Sequence, residues 1–259
     1  MGRDRHQQRG FLMANRLQQC LIFTILLLGS ATPAIAADLG AGFGVNGGAT
    51  LVSDYRFRGI SQSDKRFAVQ GTISLSHSSG FYATVWGSSI DDYVAAGSDA
   101  ELDLIAGYRK TFGGTTIDGG VLYYYYPGSN GVDTDFVEPY ISVAQVIGPV
   151  TAKLTANYAP KQSALTIGSG KEDNLYLASD LSAAIPKTPI SLTAHLGHSY
   201  GPSYLTIGDG YTDWSLGVSV AWKNLTAGIA YVDTDGRFIT PSGRNASKAG
   251  VVASLGVTF

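Results

Sequence analysis

Asp54, Arg56 and Arg58 stand two residues apart in the stretch TLVSDYRFRGISQSDKR, residues 50–66. In an extended chain such spacing puts all three on one face, because successive strand side chains point to opposite sides. Leu51, Ser53, Tyr55 and Phe57 then fall on the other face, directed to an apolar medium. A face of alternating acid and base can hold ions or dipoles, or cross-link itself into a rigid network. The same pattern recurs along the chain, with Glu101, Asp103, Arg109, Asp118, Glu138, Lys153, Asp180 and Asp213 on the polar face of alternating segments. Together these are seven acids and four bases. Lining a water-filled lumen, they would select solutes by charge, as rings of charged side chains do in pores.

Other chemistry is poorly supported. GFGVNG, residues 42–47, has the spacing of a dinucleotide-binding turn but neither a strand before it nor a helix after it. GSGKE, residues 168–172, lacks the first glycine and the Ser/Thr of a phosphate-binding loop. Asn224-Leu-Thr and Asn245-Ala-Ser match a glycosylation pattern that has no such meaning in a bacterial barrel. His77, His195 and His198 are too scattered for a metal set; His195 shares a polar face with Thr193, and His198 takes the opposite face. A hydrolase built on His198 and Ser199 is disfavoured because adjacent strand residues face opposite ways. No cofactor or metal is expected.

The elements that must position the charged face are strands. FAVQGTISLS, ELDLIAGYRK, TAKLTANYA, DWSLGVSVAW and AGVVASLGVTF each alternate apolar with polar or small residues, and no helical period competes after the first 36 residues. There are about twelve such segments of roughly ten residues, the length of a transmembrane β-strand. The connections alternate strictly between long and short. Short ones centre on HSSG (77–80), TFGG (111–114), IGP (147–149), PKTP (186–189) and KN (223–224); the long ones include GISQSDKR, DDYVAAGSD, PGSNGVDTD, APKQSALTIGSGKED, GPSYLTIGDGY and DTDGRFITPSGRNAS. Short periplasmic turns and long extracellular loops are the habit of outer-membrane barrels. The fold expected is therefore an all-β, antiparallel transmembrane barrel over residues 49–259, with a Gly-rich periplasmic lead-in at 37–48. Aromatics collect near the strand ends as two girdles: Phe81, Tyr82, Phe112 and Trp222 by short turns, and Tyr123 to Tyr126, Tyr158, Trp214 and Tyr231 by long loops. Pro139 falls inside the sixth strand, where a closed barrel has no edge to excuse its missing donor, so a bulge or a strand end is expected there.

Residues 1–36 read as a cleaved secretory signal peptide. Arg3, Arg5, Arg9 and Arg16 precede the apolar run CLIFTILLLGSATPA, and AIA supplies small residues for cleavage; Met13 is an alternative start. Beyond that segment no cysteine or methionine remains, which excludes disulfides and thiolate chemistry. Four of the 18 basic residues and one of the 20 acidic residues lie within it, so the remainder carries about −5, which disfavours nucleic acid as a partner.

The motifs SDYRFRGISQSD, VWGSSID, ELDLIAGYRK and GVLYYYYPG resemble the TorF family of proteobacterial outer-membrane porins, from about Leu51 to Phe259. The resemblance implies an outer-membrane β-barrel and passive transport, and it brings no substrate and no functional residues. Phe259, closing an alternating strand, is similar to the terminal signal read by the barrel assembly machinery. The expected function is a narrow, weakly cation-preferring channel for small hydrophilic solutes or ions, with outer-membrane lipid as its surroundings. The competing readings are a structural or adhesive barrel with a plugged lumen and, further off, an outer-membrane hydrolase.

Overall fold

Alternation alone cannot make a stable strand; each segment needs a neighbour on both sides, and here the neighbours close on themselves. The computed structural model describes residues 37–206 and 208–259, so the expected signal peptide lies outside the described residues. In chain order the strands are β1 (Ala37–Gly40), β2 (Phe43–Val52), β3 (Arg56–Phe57), β4 (Ile60–Ser61), β5 (Ala68–His77), β6 (Phe81–Ser89), β7 (Ala100–Phe112) and β8 (Thr115–Tyr125). They continue with β9 (Phe136–Ile147), β10 (Val150–Ile167), β11 (Gly170–Ala184), β12 (Ile190–Tyr200), β13 (Tyr211–Trp222), β14 (Leu225–Thr234) and β15 (Gly250–Thr258). β2 and β5 to β15 form a closed, antiparallel barrel of twelve strands, each paired with its sequence neighbours and β15 pairing back onto β2. Closure satisfies every strand edge internally, which a sheet in lipid requires.

The outward face is apolar and exposed, from Val69, Ile73 and Leu75 on β5 to Leu216, Val218 and Val220 on β13 and Val251 and Leu255 on β15. A continuous apolar belt of this extent has no place in water. Phe81, Phe112, Trp222 and Phe259 rim it at the short-turn end; Tyr123, Tyr125, Tyr158, Trp214 and Tyr231 rim it at the other. Three girdle expectations fail, the third being Tyr126, which packs against the apolar clusters inside the barrel. Tyr82 and Tyr124 point inward and are buried, because each shares strand parity with the lumen residues. Tyr82 donates to Asp118 (2.7 Å) and Tyr124 to Glu138 (3.1 Å).

Three segments differ from the sequence expectation. Residues 43–48 are not a lead-in but the start of β2, and 37–40 pair with them as a short hairpin. The glycines there serve close approach: a Cβ on Gly47 would lie 2.7 Å from the Phe259 ring, and one on Gly48 would lie 2.9 Å from the Val257 carbonyl. Most of the supposed loop at 159–173 is strand, since β10 and β11 run on past their neighbours to a turn at Gly168 and Ser169. Pro139 sits in a regular ladder with Val121 of β8, but the β9–β10 ladder stops at the Tyr140–Asn157 pair, so the missing donor falls at a ladder end. Beyond it the Gln162 side chain exchanges both backbone hydrogen bonds with Val137 at 2.9 Å, standing in for a strand.

Candidate functional site

The charged half of the expected first strand, Asp54 to Arg58, is not part of a barrel strand. β2 ends at Val52, and residues 53–67 turn into the lumen, where β3 and β4 form a hairpin joined by Arg58 and Gly59. Both turn residues have positive φ, +46° and +79°, as a two-residue hairpin turn demands. The expectation that Tyr55 and Phe57 face lipid is therefore overturned. Tyr55 is only 2% exposed and packs with Val52, Trp86 and Ile90 inside the barrel, while Phe57 packs against Tyr124. Parity is lost because the chain bends out of the wall at Ser53 and Asp54.

The hairpin spans the lumen. At its base Asp54 accepts from Arg56 (2.7 Å) and from Ser61 (2.5 Å), and Arg56 also donates to the carbonyls of Gly59 (2.9 Å) and Lys248 (3.0 Å). At its tip Arg58 donates to Glu138 on β9 (2.6 Å) and Asn174 on β11 (2.8 Å), and its guanidinium lies 4.1 Å from the centre of the Tyr176 ring. Counting round the barrel, β9 and β11 flank the position opposite β2, so the tip is latched to the far wall. Tyr55 ties the near side to Glu101 on β7, at 3.2 Å from both carboxylate oxygens.

Two long loops hold the hairpin from outside. In the 90–99 loop Asp91 pairs with Arg66, and Tyr93 donates to the Ser61 carbonyl. Burial pushes the Tyr93 hydroxyl up to about 12, which keeps it a neutral donor. In the 235–249 loop Ser242 and Arg244 both reach the Asp64 carboxylate, at 3.0 and 3.1 Å, and Ala246 accepts from the Ser61 backbone.

The rest of the lumen is lined differently. Arg109 pairs with Asp118 (2.8 Å), and His195 sits between Asp180 (2.7 Å) and Asp213 (3.1 Å) with Tyr176 against the same ring nitrogen as Asp213. Lys153 lies opposite Asp180 in the β10–β11 ladder. Asp103 is fully buried beside Glu101, and neither of its carboxylate oxygens has a hydrogen-bond partner in the protein. Each of the eleven residues singled out from the sequence thus lies inside the barrel. Eight of them stand on the wall, whereas Asp54, Arg56 and Arg58 belong to the hairpin.

The lumen-facing ionisable groups are distributed on one side. Those of the wall are Glu101, Asp103, Arg109, Asp118, Glu138, Lys153, Asp180, His195 and Asp213, all on the consecutive strands β7 to β13. The lumen face of β14, β15, β2, β5 and β6 carries instead Gly, Ala, Ser, Thr, Val, Asn and Gln, with Tyr82 and Trp86. Between that side and the hairpin base is a cavity of about 30 Å³, with Val52, Ala230, Val232 and Val252 on the wall and Asp54, Tyr55 and Arg56 opposite.

Sequence reasoning missed Tyr55, Asn174, Tyr176 and the bridging role of His195. Parity located His195 in the lumen, but its two carboxylate partners come from neighbouring strands whose register no local pattern gives. Ser199 is wholly buried against Asn174 and faces away from His198, so these two form no nucleophile and base.

The fold recurs in solved structures of outer-membrane porins. The NanC porin superposes with a TM-score of 0.57 at 12% identity, covering 83% of this chain and 98% of that one. The KdgM porin gives 0.53 at 12% identity, covering 83% and 97%, and so does KdgM porin in complex with disordered oligogalacturonate. No curated protein matches the chain in sequence. The family model described as a bacterial protein of unknown function, Gcw_chp, matches residues 36–259, and the chain belongs to that family.

Proposed function

We propose that the chain is a porin-like channel of the bacterial outer membrane, related to the TorF porins, through which small hydrophilic solutes or ions diffuse passively. The observation that carries this reading is a polar lumen reached by solvent. Lys153, Asp180, His195, Ser254 and Thr258 all face inward yet are part-exposed, inside a wall whose outer face is apolar. The short turns lie on the periplasmic side, the long loops outside, and Phe259 serves as the signal to the assembly machinery after a cleaved signal peptide.

Charge selection is weak in this reading. Asp54, Glu138, Asp118, Asp180 and Asp213 each contact Arg or His, and Glu101 and Asp103 are buried beside Tyr55, so the excess of lumen acids leaves only a small cation preference that screening removes at high salt. One similar structure holds an oligogalacturonate, a polyanion. The excess of lumen acids over bases gives no reason to carry that ligand over to this chain.

The hairpin favours a second reading, a structural or adhesive barrel with a plugged lumen. Planar-bilayer recording of the purified protein separates the two. Discrete channel steps, with a reversal potential shifted slightly toward the cation value in a low-salt gradient, are expected. A bilayer that stays silent favours the plug. Thiol labelling of intact cells tests topology in parallel: cysteines at Ser129, Gly168 and Gly243 should react, and those at Gly113 and Asn224 should not.

A further inference from the structure

Glu101 and Asp103 occupy consecutive inward positions of β7, 2% and 0% exposed, and the cations of the lumen are engaged elsewhere. Arg56 is committed to Asp54, Arg58 to Glu138, Arg109 to Asp118 and His195 to Asp180 and Asp213. Lys153 lies among Asp180, Asp118 and Arg109.

Donors are as scarce as cations. The Tyr55 hydroxyl donates to Glu101, shared between both carboxylate oxygens at 3.2 Å. Asp103 stands opposite Tyr124 in the β7–β8 ladder and Trp86 in the β6–β7 ladder, but the Tyr124 hydroxyl donates to Glu138 instead, at 3.1 Å. Among the described residues no donor reaches either oxygen of Asp103. The other titratable groups around the pair are the Tyr126 phenol, just past the end of β8, and Glu138 itself.

What Asp103 does have is Glu101. The two carboxyl groups lie within hydrogen-bond reach of each other. Carboxylates only accept, so such a contact is a hydrogen bond only when one of the two carries a proton. As two anions, side by side and out of water, they would repel with nothing to offset their lost hydration. One proton removes both penalties.

We propose that Glu101 and Asp103 hold a single proton between them, and that this proton fastens the near side of the hairpin. Asp103 carries it and donates to Glu101, whose charge also accepts the Tyr55 hydroxyl. Taken up by hydroxide at alkaline pH, the proton leaves two adjoining anions, which draw in water and part Tyr55 from Trp86. The tip rests on Arg58 and Glu138, an ion pair that alkali leaves charged. The hairpin therefore has one anchor that alkali releases and one that it does not, whether the lumen conducts or is plugged.

Infrared spectra of the purified protein in detergent test the proton directly. At neutral pH a protonated-carboxyl band is expected, absent from Asp103→Asn and from Glu101→Gln, in which an amide supplies the donor. Two replacements keep the result readable if one folds poorly by heat-modifiable gel mobility. Trp86 reports the hairpin, since its ring lies 5.5 Å from that of Tyr55. In a Trp214→Phe, Trp222→Phe background its emission should shift to the red over the alkaline range in which the band fades, and stay fixed in Asp103→Asn. No band at neutral pH, or one that both replacements leave in place, would overturn the shared proton. Emission that holds still while the band fades, or a band that outlasts every pH at which the barrel stays folded, would overturn its hold on the hairpin.

Discussion

The two sides of the lumen obey different rules. On β7 to β13 nearly every inward charge is tied to another group: Arg58 to Glu138, Arg109 to Asp118, His195 to Asp180 and Asp213. On β14, β15, β2, β5 and β6 there is no inward charge to tie; Ser74 and Thr84 share one hydrogen bond, and the Thr72 hydroxyl has no hydrogen-bond partner in the protein. Ionisable groups that look like a selectivity filter in the sequence act in the fold as cross-links, Arg58–Glu138 holding the hairpin and the others joining wall strands to one another. The side without charge carries no such ties. Charge in a barrel lumen therefore marks where the structure is stiff as readily as where a solute travels.

Three replacements test that contrast. The largest effect is expected from Arg58→Ala, which strands the fully buried Glu138 without its cation, a loss of about 3–5 kcal/mol where such a pair is broken from one side. The hairpin tip should leave the wall, raising conductance and making a thiol at Phe57→Cys reactive in the same background. If conductance and labelling stay at the level of the Arg58 protein, the latch is not what holds the hairpin, and the contrast breaks.

Gly59→Val comes next. The residue sits at φ +79°, and its added Cβ would lie 2.9 Å from Cβ of Asp213 and 3.1 Å from Cβ of Thr234. Strain of about 1–3 kcal/mol should appear as a lower denaturant midpoint with an unchanged slope. An unshifted midpoint would mean that the turn does not bear on the wall. The smallest effect belongs to the uncharged wall's border with the charged one: Ser219→Ala on β13 removes a hydroxyl with no protein partner, and stability should stay within about 0.5 kcal/mol. A loss well beyond that would show cross-linking where none is described here.

Much of the barrel was legible because its signals are local. Alternation in residues 101–110 and 213–222 put the right side chains outside, and strict alternation of link length fixed the up-and-down order and the strand number. The hairpin was not legible. Asp54 to Arg58 alternate as well as any wall strand does, and only Arg58-Gly59, a pair compatible with a tight turn, broke the pattern. Inward burial of Tyr55 depends on Glu101 and Trp86, both more than 30 positions away, which no periodicity encodes. The same limit explains the aromatic run at 123–126: parity alone sends Tyr124 inward, but proximity to a loop had suggested a girdle for all four. For the candidate site, the inward placement of the eight wall residues was readable, whereas the hairpin that carries Asp54, Arg56 and Arg58 and the pairings of all eleven were not.

The latch also bears on how the chain finds its shape. All barrel ladders but one join sequence neighbours; β15 on β2 instead brings together Val52 and Ser254, roughly 200 positions apart, with a register of five pairs. Closing that ring is the step of highest contact order, and long-range pairing of this kind slows folding. A hairpin tip docked on Asn174 before closure shortens the route. The free segment between Asn174 and Ser254 is 80 residues, and the hairpin stem adds six from Val52 to Arg58. That is a little over one halving of loop length, about 0.7 kcal/mol less entropy to lose. Docked in that order, the element that crosses the finished lumen would act during assembly as a tether that draws the first strand toward the last.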